Sequence, residues 1–263
     1  MSRPLIIGHR GASAHAPENT LIAFERALAA GADGIEFDVR LARDQVPVVI
    51  HDADLRRTAH SAGLIADLSS TELAQVDVGT WFNLRHTGLA SVEFSRARVP
   101  TLAQVFELFG SSFKHLYVEM KCVPTEAQAL AAEVAALTRA DSLTERVVIE
   151  SFNLEAISEL KRLAPEIRTA ALFEPKLSRP LPGARRIFEQ AALCGADEIA
   201  LHRALVSRRL AAEATRRGLK TVVWTVDHPA WIERARQLSL HALITNRPAL
   251  MLAHLGPLES QSV

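Results

Sequence analysis

Short apolar runs rich in β-branched residues alternate with longer amphipathic runs along most of the 263-residue chain. The short runs have the length of buried strands, and the longer runs have the apolar spacing of helices. Eight strands are predicted, each followed by a helix: Leu5 to Gly8, Ile35 to Leu41, Leu116 to Met120, Val147 to Glu150, Thr169 to Phe173, Glu198 to Leu201, Thr221 to Val226 and His241 to Thr245. This pattern predicts an α/β fold, a (β/α)₈ barrel with its active site at the carboxyl ends of the strands.

One further apolar run, Val46 to Ile50, does not fit this repeat. Only the residues Ala42-Arg43-Asp44-Gln45 separate it from the preceding strand, whereas a parallel crossover needs about a dozen residues or more. We therefore interpret the run as a hairpin arm. Residues 53–98 show weak periodicity, which predicts a small insertion within a single domain of residues 1–263.

The charge balance excludes several classes of partner. Thirty basic and thirty acidic side chains give a formal net charge of zero, so neither nucleic acid nor stable membrane association is expected. The apolar stretch Leu5 to Ile7 is too short for a signal peptide, and no run of about 18 apolar residues occurs. Cys122 and Cys194 form no C-x-x-C motif, which favours a reducing compartment. These features predict a cytoplasmic protein; its oligomeric state leaves no mark on the sequence.

Three carboxylates lie on neighbouring predicted strands. Glu36 and Asp38 are two residues apart and share one face, and Glu119 ends the next barrel strand. Hard divalent cations prefer carboxylate oxygens, and three such groups would repel one another without a cation. The alternative is that each carboxylate pairs with Arg or Lys. Because the three converge, the sequence favours a site for one divalent cation, Mg²⁺ or Ca²⁺.

Two histidines and two basic residues accompany these carboxylates. His9 and His51 close a strand and the hairpin arm, and imidazoles can give and take protons near neutral pH. They are therefore candidates for the general base and general acid. With Arg10, Lys121 and a divalent ion, the three carboxylates leave a net charge of about +1, which complements a phosphodiester monoanion if all groups ionise normally.

Other residues carry weaker signals. Trp224 ends a predicted strand, where it could line a substrate pocket or pack in the core. Pro17-Glu18-Asn19-Thr20 is sufficiently explained as a loop followed by a helix cap.

These residues resemble the glycerophosphodiester phosphodiesterase family of the bacterial cytoplasmic type. The similarity covers about residues 5 to 250. Its motifs follow in order: His9-Arg10-Gly11, Pro17-Glu18-Asn19-Thr20, Gly31-Ala32-Asp33-Gly34-Ile35-Glu36-Phe37-Asp38-Val39, Pro47-Val48-Val49-Ile50-His51-Asp52, Val99-Pro100-Thr101-Leu102, Glu119-Met120-Lys121, Ser151-Phe152, Trp224-Thr225-Val226 and Ile244-Thr245-Asn246-Arg247-Pro248.

The resemblance implies a distorted TIM barrel that hydrolyses glycerophosphodiesters, such as glycerophosphocholine or glycerophosphoethanolamine, to sn-glycerol 3-phosphate and an alcohol. It also implies Mg²⁺ or Ca²⁺ on Glu36, Asp38 and Glu119, acid/base roles for His9 and His51, and phosphate contacts from Arg10 and Lys121. The preferred head group, the metal, the nucleophile and the division of roles between the histidines stay open.

The sequence departs from the family pattern at four positions. The hairpin has Ala42 and Gln45 where Thr and Gly are usual, and Gln45 predicts an altered turn. Asp227 replaces the usual Asn, and Asn246 replaces the usual Asp.

Two other functions stay open from the sequence. A lysophospholipase D would need an apolar entrance, which Trp81, Phe82, Leu84, Leu89 and Phe94 of the insertion could form; they could instead form the insertion's own core. A non-catalytic phosphodiester-binding protein is the alternative from another class.

Overall fold

Eight parallel strands and one antiparallel arm form the central sheet of the computed structural model, which describes residues 3–175 and 182–255. The strands are β1 (Leu5–His9), β2 (Gly34–Leu41), β3 (Pro47–Val49), β4 (His115–Met120), β5 (Val147–Ser151), β6 (Arg168–Phe173), β7 (Glu198–His202), β8 (Lys220–Trp224) and β9 (Ala242–Thr245). The order β1-β9-β8-β7-β6-β5-β4-β2 closes through a β1–β2 pairing. The predicted (β/α)₈ barrel is therefore confirmed.

Helices cover the outside of the barrel. They are α1 (Leu21–Ala29), α2 (Arg56–Ala59), α3 (Ser70–Leu73), α4 (Thr80–Arg85), α5 (Leu102–Phe109), α6 (Ala127–Ala140), α7 (Leu154–Leu163), α8 (Ala184–Leu193), α9 (Arg208–Arg216), α10 (Ala230–Leu238) and α11 (Pro248–Ala253). Within the described residues, none of them is long and apolar enough to cross a membrane.

Two predicted boundaries were wrong by about two residues. The apolar spacing of the sequence predicts a helix from Val206 to Arg217, but α9 begins at Arg208, because the Ser207 hydroxyl accepts the Leu210 N–H and caps the helix. Strand β8 ends at Trp224 and not at Val226, because its ladder with β7 ends where Trp224 pairs with His202.

The hairpin arm pairs antiparallel with β2, from Val39 opposite Val49 to Leu41 opposite Pro47. In its turn, Gln45 adopts a φ of +64°, the left-handed conformation that Gly adopts without strain. The turn therefore keeps the backbone that an Asp-Gly sequence would favour, and the alteration that we expected from Gln45 is absent at this residue.

Residues 53–98 contain α2, α3, α4 and three short 3₁₀ segments. One apolar cluster joins this segment to the hairpin arm, and its buried members are Ala42, Val48, Ile50, Leu55, Ile65, Leu73, Val78, Ala97 and Val99. Trp81, Phe82 and Phe94 are buried in a second cluster with Ala16 and Ala23. The aromatic side chains of the insertion therefore pack against the first loop and α1, whereas Leu84 and Leu89 are exposed.

Apolar side chains fill the barrel, among them Ile7, Tyr117, Val148, Val222 and Ile244. The larger core lies between the strands and the surrounding helices. Side chains alternate between these two environments along each strand, so polar residues near the strand ends reach the barrel mouth.

Candidate active site

A cleft of about 350 Å³ opens at the carboxyl ends of the strands. Seven of the eight residues that the sequence singled out line it: His9, Arg10, Glu36, His51, Glu119, Lys121 and Trp224. The eighth, Asp38, is fully buried and contacts Arg10 and Lys121. The structure thus places all eight in or directly against one cleft.

Strand register brings the three carboxylates together. Asp38 and Glu119 are direct partners on β2 and β4, and Glu36 lies two residues before Asp38 on the same face. One carboxylate oxygen from each lies within 4.8 Å of the others. All three side chains are buried, so their charges are poorly screened by solvent.

The donor set of this triad fits a hard divalent cation. Asp38 Oδ1 and Glu119 Oε1 are buried and accept no hydrogen bond of good geometry. The Nζ atom of Lys121 lies 3.4 Å from the first and 2.7 Å from the second. Carboxylate oxygens are the ligands that Mg²⁺ and Ca²⁺ prefer, and Glu36, Asp38 and Glu119 could hold either ion.

The triad does not ionise uniformly. Burial, with repulsion from Asp38 and Glu119, raises the pKa of Glu36 well above its usual range. Burial and the nearby Asp38 carboxylate raise the pKa of Glu119 to about 8. Burial would also raise the pKa of Asp38, but Arg10 and Lys121 hold it well below its usual value. The assumption of normal ionisation behind the charge count is therefore wrong for the protein without a cation.

The two histidines differ in their surroundings. His9 ends β1, with Nδ1 2.7 Å from Asn246 Oδ1 and Nε2 3.8 Å from Glu36 Oε2. Burial and the neighbouring Arg10 guanidinium lower the pKa of His9 to about 4. His51 follows β3, and its Nδ1 lies 2.8 Å from Asp52 Oδ1. Burial lowers the pKa of His51 as well, although Asp38 and Asp52 oppose that shift.

The turn after β1 explains how Arg10 reaches the carboxylates. Arg10 and Gly11 both have positive φ, at 52° and 85°. A Cβ atom at Gly11 would lie 2.6 Å from the backbone of Ala23, so only glycine fits there. In this turn the backbone N–H of Arg10 donates to Glu36 Oε2 at 3.1 Å. The side-chain Nε of Arg10 lies 3.1 Å from Asp38 Oδ2.

Glu18 and Asn19 make contacts that the sequence pattern did not predict. Glu18 accepts a hydrogen bond from Arg10 at 2.7 Å, and Asn19 Nδ2 donates to Asp38 Oδ2 at 2.8 Å. The neighbouring Thr20 does cap α1, as predicted, by accepting the Ala23 N–H. The helix cap at Thr20 is sufficient to explain this motif from sequence alone, although the two preceding residues contact Arg10 and Asp38.

Aromatic side chains form one wall of the cleft. The rings of Trp224 and Phe152 meet edge to face with centroids 5.5 Å apart. Lys121 Nζ lies 5.6 Å from the centre of the Phe152 ring. Both rings line the cleft and also pack against the apolar filling of the barrel, so Trp224 lines the pocket and packs on the core.

Glu150 is a fourth carboxyl in the cleft, beside Glu119 in the β4–β5 register. Burial and repulsion from Glu36 and Glu119 raise its pKa well above the usual range. Its position at a strand end was visible in the sequence, but its burial next to the triad was not.

Together, the fold and the cleft define a TIM-barrel enzyme, and comparisons with known proteins agree. The family model described as "Glycerophosphoryl diester phosphodiesterase family" matches residues 9–250. A glycerophosphodiester phosphodiesterase from Caldanaerobacter subterraneus subsp. tengcongensis is 31% identical over 95% of this chain and 97% of its own length. The chain belongs to the glycerophosphoryl diester phosphodiesterase family, whose members are phosphoric diester hydrolases.

Solved structures show the same architecture. A glycerophosphodiester phosphodiesterase from Agrobacterium tumefaciens has a TM-score of 0.78 and 32% identity, covering 95% of this chain and 99% of its own. An Oleispira antarctica phosphodiesterase, solved in complex with the product sn-glycerol-3-phosphate, has a TM-score of 0.83 and 24% identity, covering 96% and 97%. The second likeness supports the fold alone.

Proposed function

We propose that this chain hydrolyses glycerophosphodiesters with small alcohols, such as glycerophosphocholine or glycerophosphoethanolamine, to sn-glycerol 3-phosphate and the alcohol. The observation that carries the proposal is the shared cleft of His9, His51 and the three-carboxylate cluster. A cavity of about 380 Å³ adjoins the cleft and shares Phe152 and Leu172 with it, which leaves room for an alcohol.

Glu36, Asp38 and Glu119 are the proposed ligands of one divalent cation, Mg²⁺ or Ca²⁺. When bound, such a cation would polarise the phosphoryl group and offset its negative charge. Arg10 and Lys121 line the same cleft and would stabilise charge that develops on the phosphoryl oxygens. Trp224 would contact the substrate from the aromatic wall.

His9 and His51 are the proposed acid/base pair. His9 stays neutral near pH 7 because burial lowers its pKa, so it can accept a proton from the nucleophile. His51 contacts the Asp52 carboxylate, which opposes the lowering of its pKa by burial, and would protonate the departing alcohol. The nucleophile is water or the neighbouring glycerol hydroxyl; the latter forms a cyclic phosphate as the alcohol leaves, and water then opens the ring.

The decisive experiment measures release of glycerol 3-phosphate from glycerophosphocholine with Mg²⁺, with Ca²⁺ and with EDTA. His9→Asn and His51→Asn should each lower kcat by about 100-fold or more. His60→Asn is the matched control, because His60 is exposed on the insertion. Metal-independent turnover, or normal turnover by either cleft variant, would contradict the mechanism. Binding of the substrate without turnover would instead favour the non-catalytic binding protein.

A lysophospholipase D is the alternative enzyme. The aromatic side chains that could have formed its apolar entrance are Trp81, Phe82 and Phe94, and all three are buried where the insertion packs against Ala16 and Ala23. Lysophosphatidylcholine should therefore be a poorer substrate than glycerophosphocholine in the same assay. We also propose that residues 53–98 belong to the same single domain, because they share an apolar cluster with the hairpin arm.

A further inference from the structure

Asn246 lies directly behind His9, on the side away from Glu36. Its Oδ1 atom is 2.7 Å from His9 Nδ1 and also accepts the Ser13 hydroxyl at 2.8 Å. An amide oxygen can only accept hydrogen bonds, so Nδ1 of His9 must carry a hydrogen. In the neutral ring, the lone pair then lies on Nε2, the nitrogen that is 3.8 Å from Glu36 Oε2.

This conclusion depends on which way the Asn246 amide faces, and Asp227 decides that. Asn246 Nδ2 donates to Asp227 Oδ2 at 2.7 Å. A reversed amide would place its oxygen against the carboxylate, where two acceptors would repel each other. Asp227 is itself fixed, because its Oδ1 accepts the Asn246 N–H at 2.8 Å and the Thr245 hydroxyl at 3.0 Å.

We propose that Asp227 and Asn246 are positioning residues that hold His9 in the tautomer with Nδ1 protonated, so that the Nε2 lone pair faces the substrate. This inference rests on the proposed role of His9 as the base. Neither positioning residue lines the cleft, and both act through His9 alone. The carboxylate fixes the amide, and the amide fixes the imidazole.

The pair should tolerate a reciprocal exchange. In Asp227→Asn with Asn246→Asp, the carboxylate at 246 would accept the Nδ1 hydrogen directly, and the amide at 227 would donate to that carboxylate. Asn246→Asp alone would place two carboxylates in contact, whereas Asp227→Asn alone would let the 246 amide reverse. Each single change should therefore be worse than the exchange of both.

The first test measures the tautomer of His9 directly and does not depend on enzymatic activity. Nitrogen-15 NMR of histidine-labelled, metal-free protein at pH 8 should show His9 with a protonated Nδ1 and a bare Nε2, assigned from the signals that disappear in His9→Asn. Asp227→Asn should shift those signals toward the other tautomer or a mixture, and the double variant should restore them. An unchanged His9 spectrum in Asp227→Asn would overturn the inference, even if the chain hydrolysed no diester.

The second test uses kinetics. Asp227→Asn and Asn246→Asp should each lower kcat by about 10-fold or more, with KM for glycerophosphocholine changed less than about twofold. The double variant should recover most of kcat. Asp141→Asn, at an exposed site beyond α6, is the control and should match wild type. Equal losses in kcat for single and double variants, with normal thermal unfolding, would contradict a role in orientation.

Discussion

Both terminal nitrogens of Arg57 donate to Glu18, one to each carboxylate oxygen, at 2.7 and 2.8 Å. The Nε atom of Arg57 donates to Asp52, which in turn contacts His51. Glu18 also binds Arg10 at 2.7 Å. Arg57, a side chain of the insertion, therefore connects two carboxylates. One contacts His51, the proposed acid, and the other contacts Arg10, which is proposed to bind the phosphate.

Arg57→Gln should lower kcat by about 10-fold or more, because Asp52 would lose its arginine partner and Glu18 would keep only Arg10. His51 and Arg10 would then lose their fixed orientation, although neither is changed. Steady-state kinetics with glycerophosphocholine would measure the loss.

The adjacent Arg56→Gln is the matched control. Arg56 is largely exposed and lies 3.8 Å from Asp54, so its removal should leave kcat within about twofold of wild type. If Arg57→Gln and Arg56→Gln had the same kcat, the contacts of Arg57 with Glu18 and Asp52 would not contribute to catalysis.

Cation affinity should rise with pH. Burial and nearby carboxylates raise the pKa of Glu36, and the pKa of Glu119 to about 8, so both hold protons at lower pH in the metal-free protein. A cation must displace those protons, and binding should therefore tighten as pH rises through about 8, where Glu119 loses its proton. Calorimetric titration in buffers of different ionisation enthalpy would count the protons released. Equal affinity at pH 6 and pH 9, without proton release, would refute the assignment.

Glu119→Gln should weaken cation binding by about 10-fold or more, because it removes one charged ligand of the triad. Glu150→Gln is the matched comparison, since Glu150 is buried beside Glu119 but lies outside the cluster of three. Burial and the neighbouring carboxylates raise its pKa and so favour its neutral form, which the amide mimics, and cation affinity should stay within about threefold. Metal titrations of the two proteins would test this, and equal weakening would place Glu150 among the ligands.

Gln45→Gly should stabilise the protein by about 0.5 to 1 kcal/mol. A left-handed φ costs a residue with a Cβ about 1 to 2 kcal/mol, and the greater flexibility of unfolded glycine offsets part of the gain. Denaturant unfolding would measure the change. Asp44→Gly should instead lower stability, because it removes the acceptor of the Ser70 N–H and hydroxyl. A loss of stability in Gln45→Gly would show that the side chain stabilises the turn.

The sequence predicted the barrel, and it predicted that the eight candidate residues would lie together, because the strand pattern places particular residues at one end of a parallel sheet. Glu36, Asp38 and Glu119 converge from strand periodicity and order alone. The contacts of Arg57 with Glu18 and of Asn246 with His9 could not be predicted in this way. They join segments that are 39 and 237 residues apart, and depend on loop conformations that periodicity does not describe. The raised pKa values of Glu36 and Glu119 could not be predicted from the sequence either, since they depend on burial and on distances between charges.

The closure of the barrel has a consequence for its assembly. Strands β1 and β9 form a seam between the two ends of the described chain, with Gly8 opposite Thr245, and Asn246 follows immediately. The proposed acid, base, metal ligands and phosphate ligands all lie within residues 9–121, yet the partner of His9 arrives only with the last strand. A chain stalled or cut before that strand would hold every reactive group and still lack an oriented base. We therefore expect catalytic turnover only from chains in which β1 and β9 have paired.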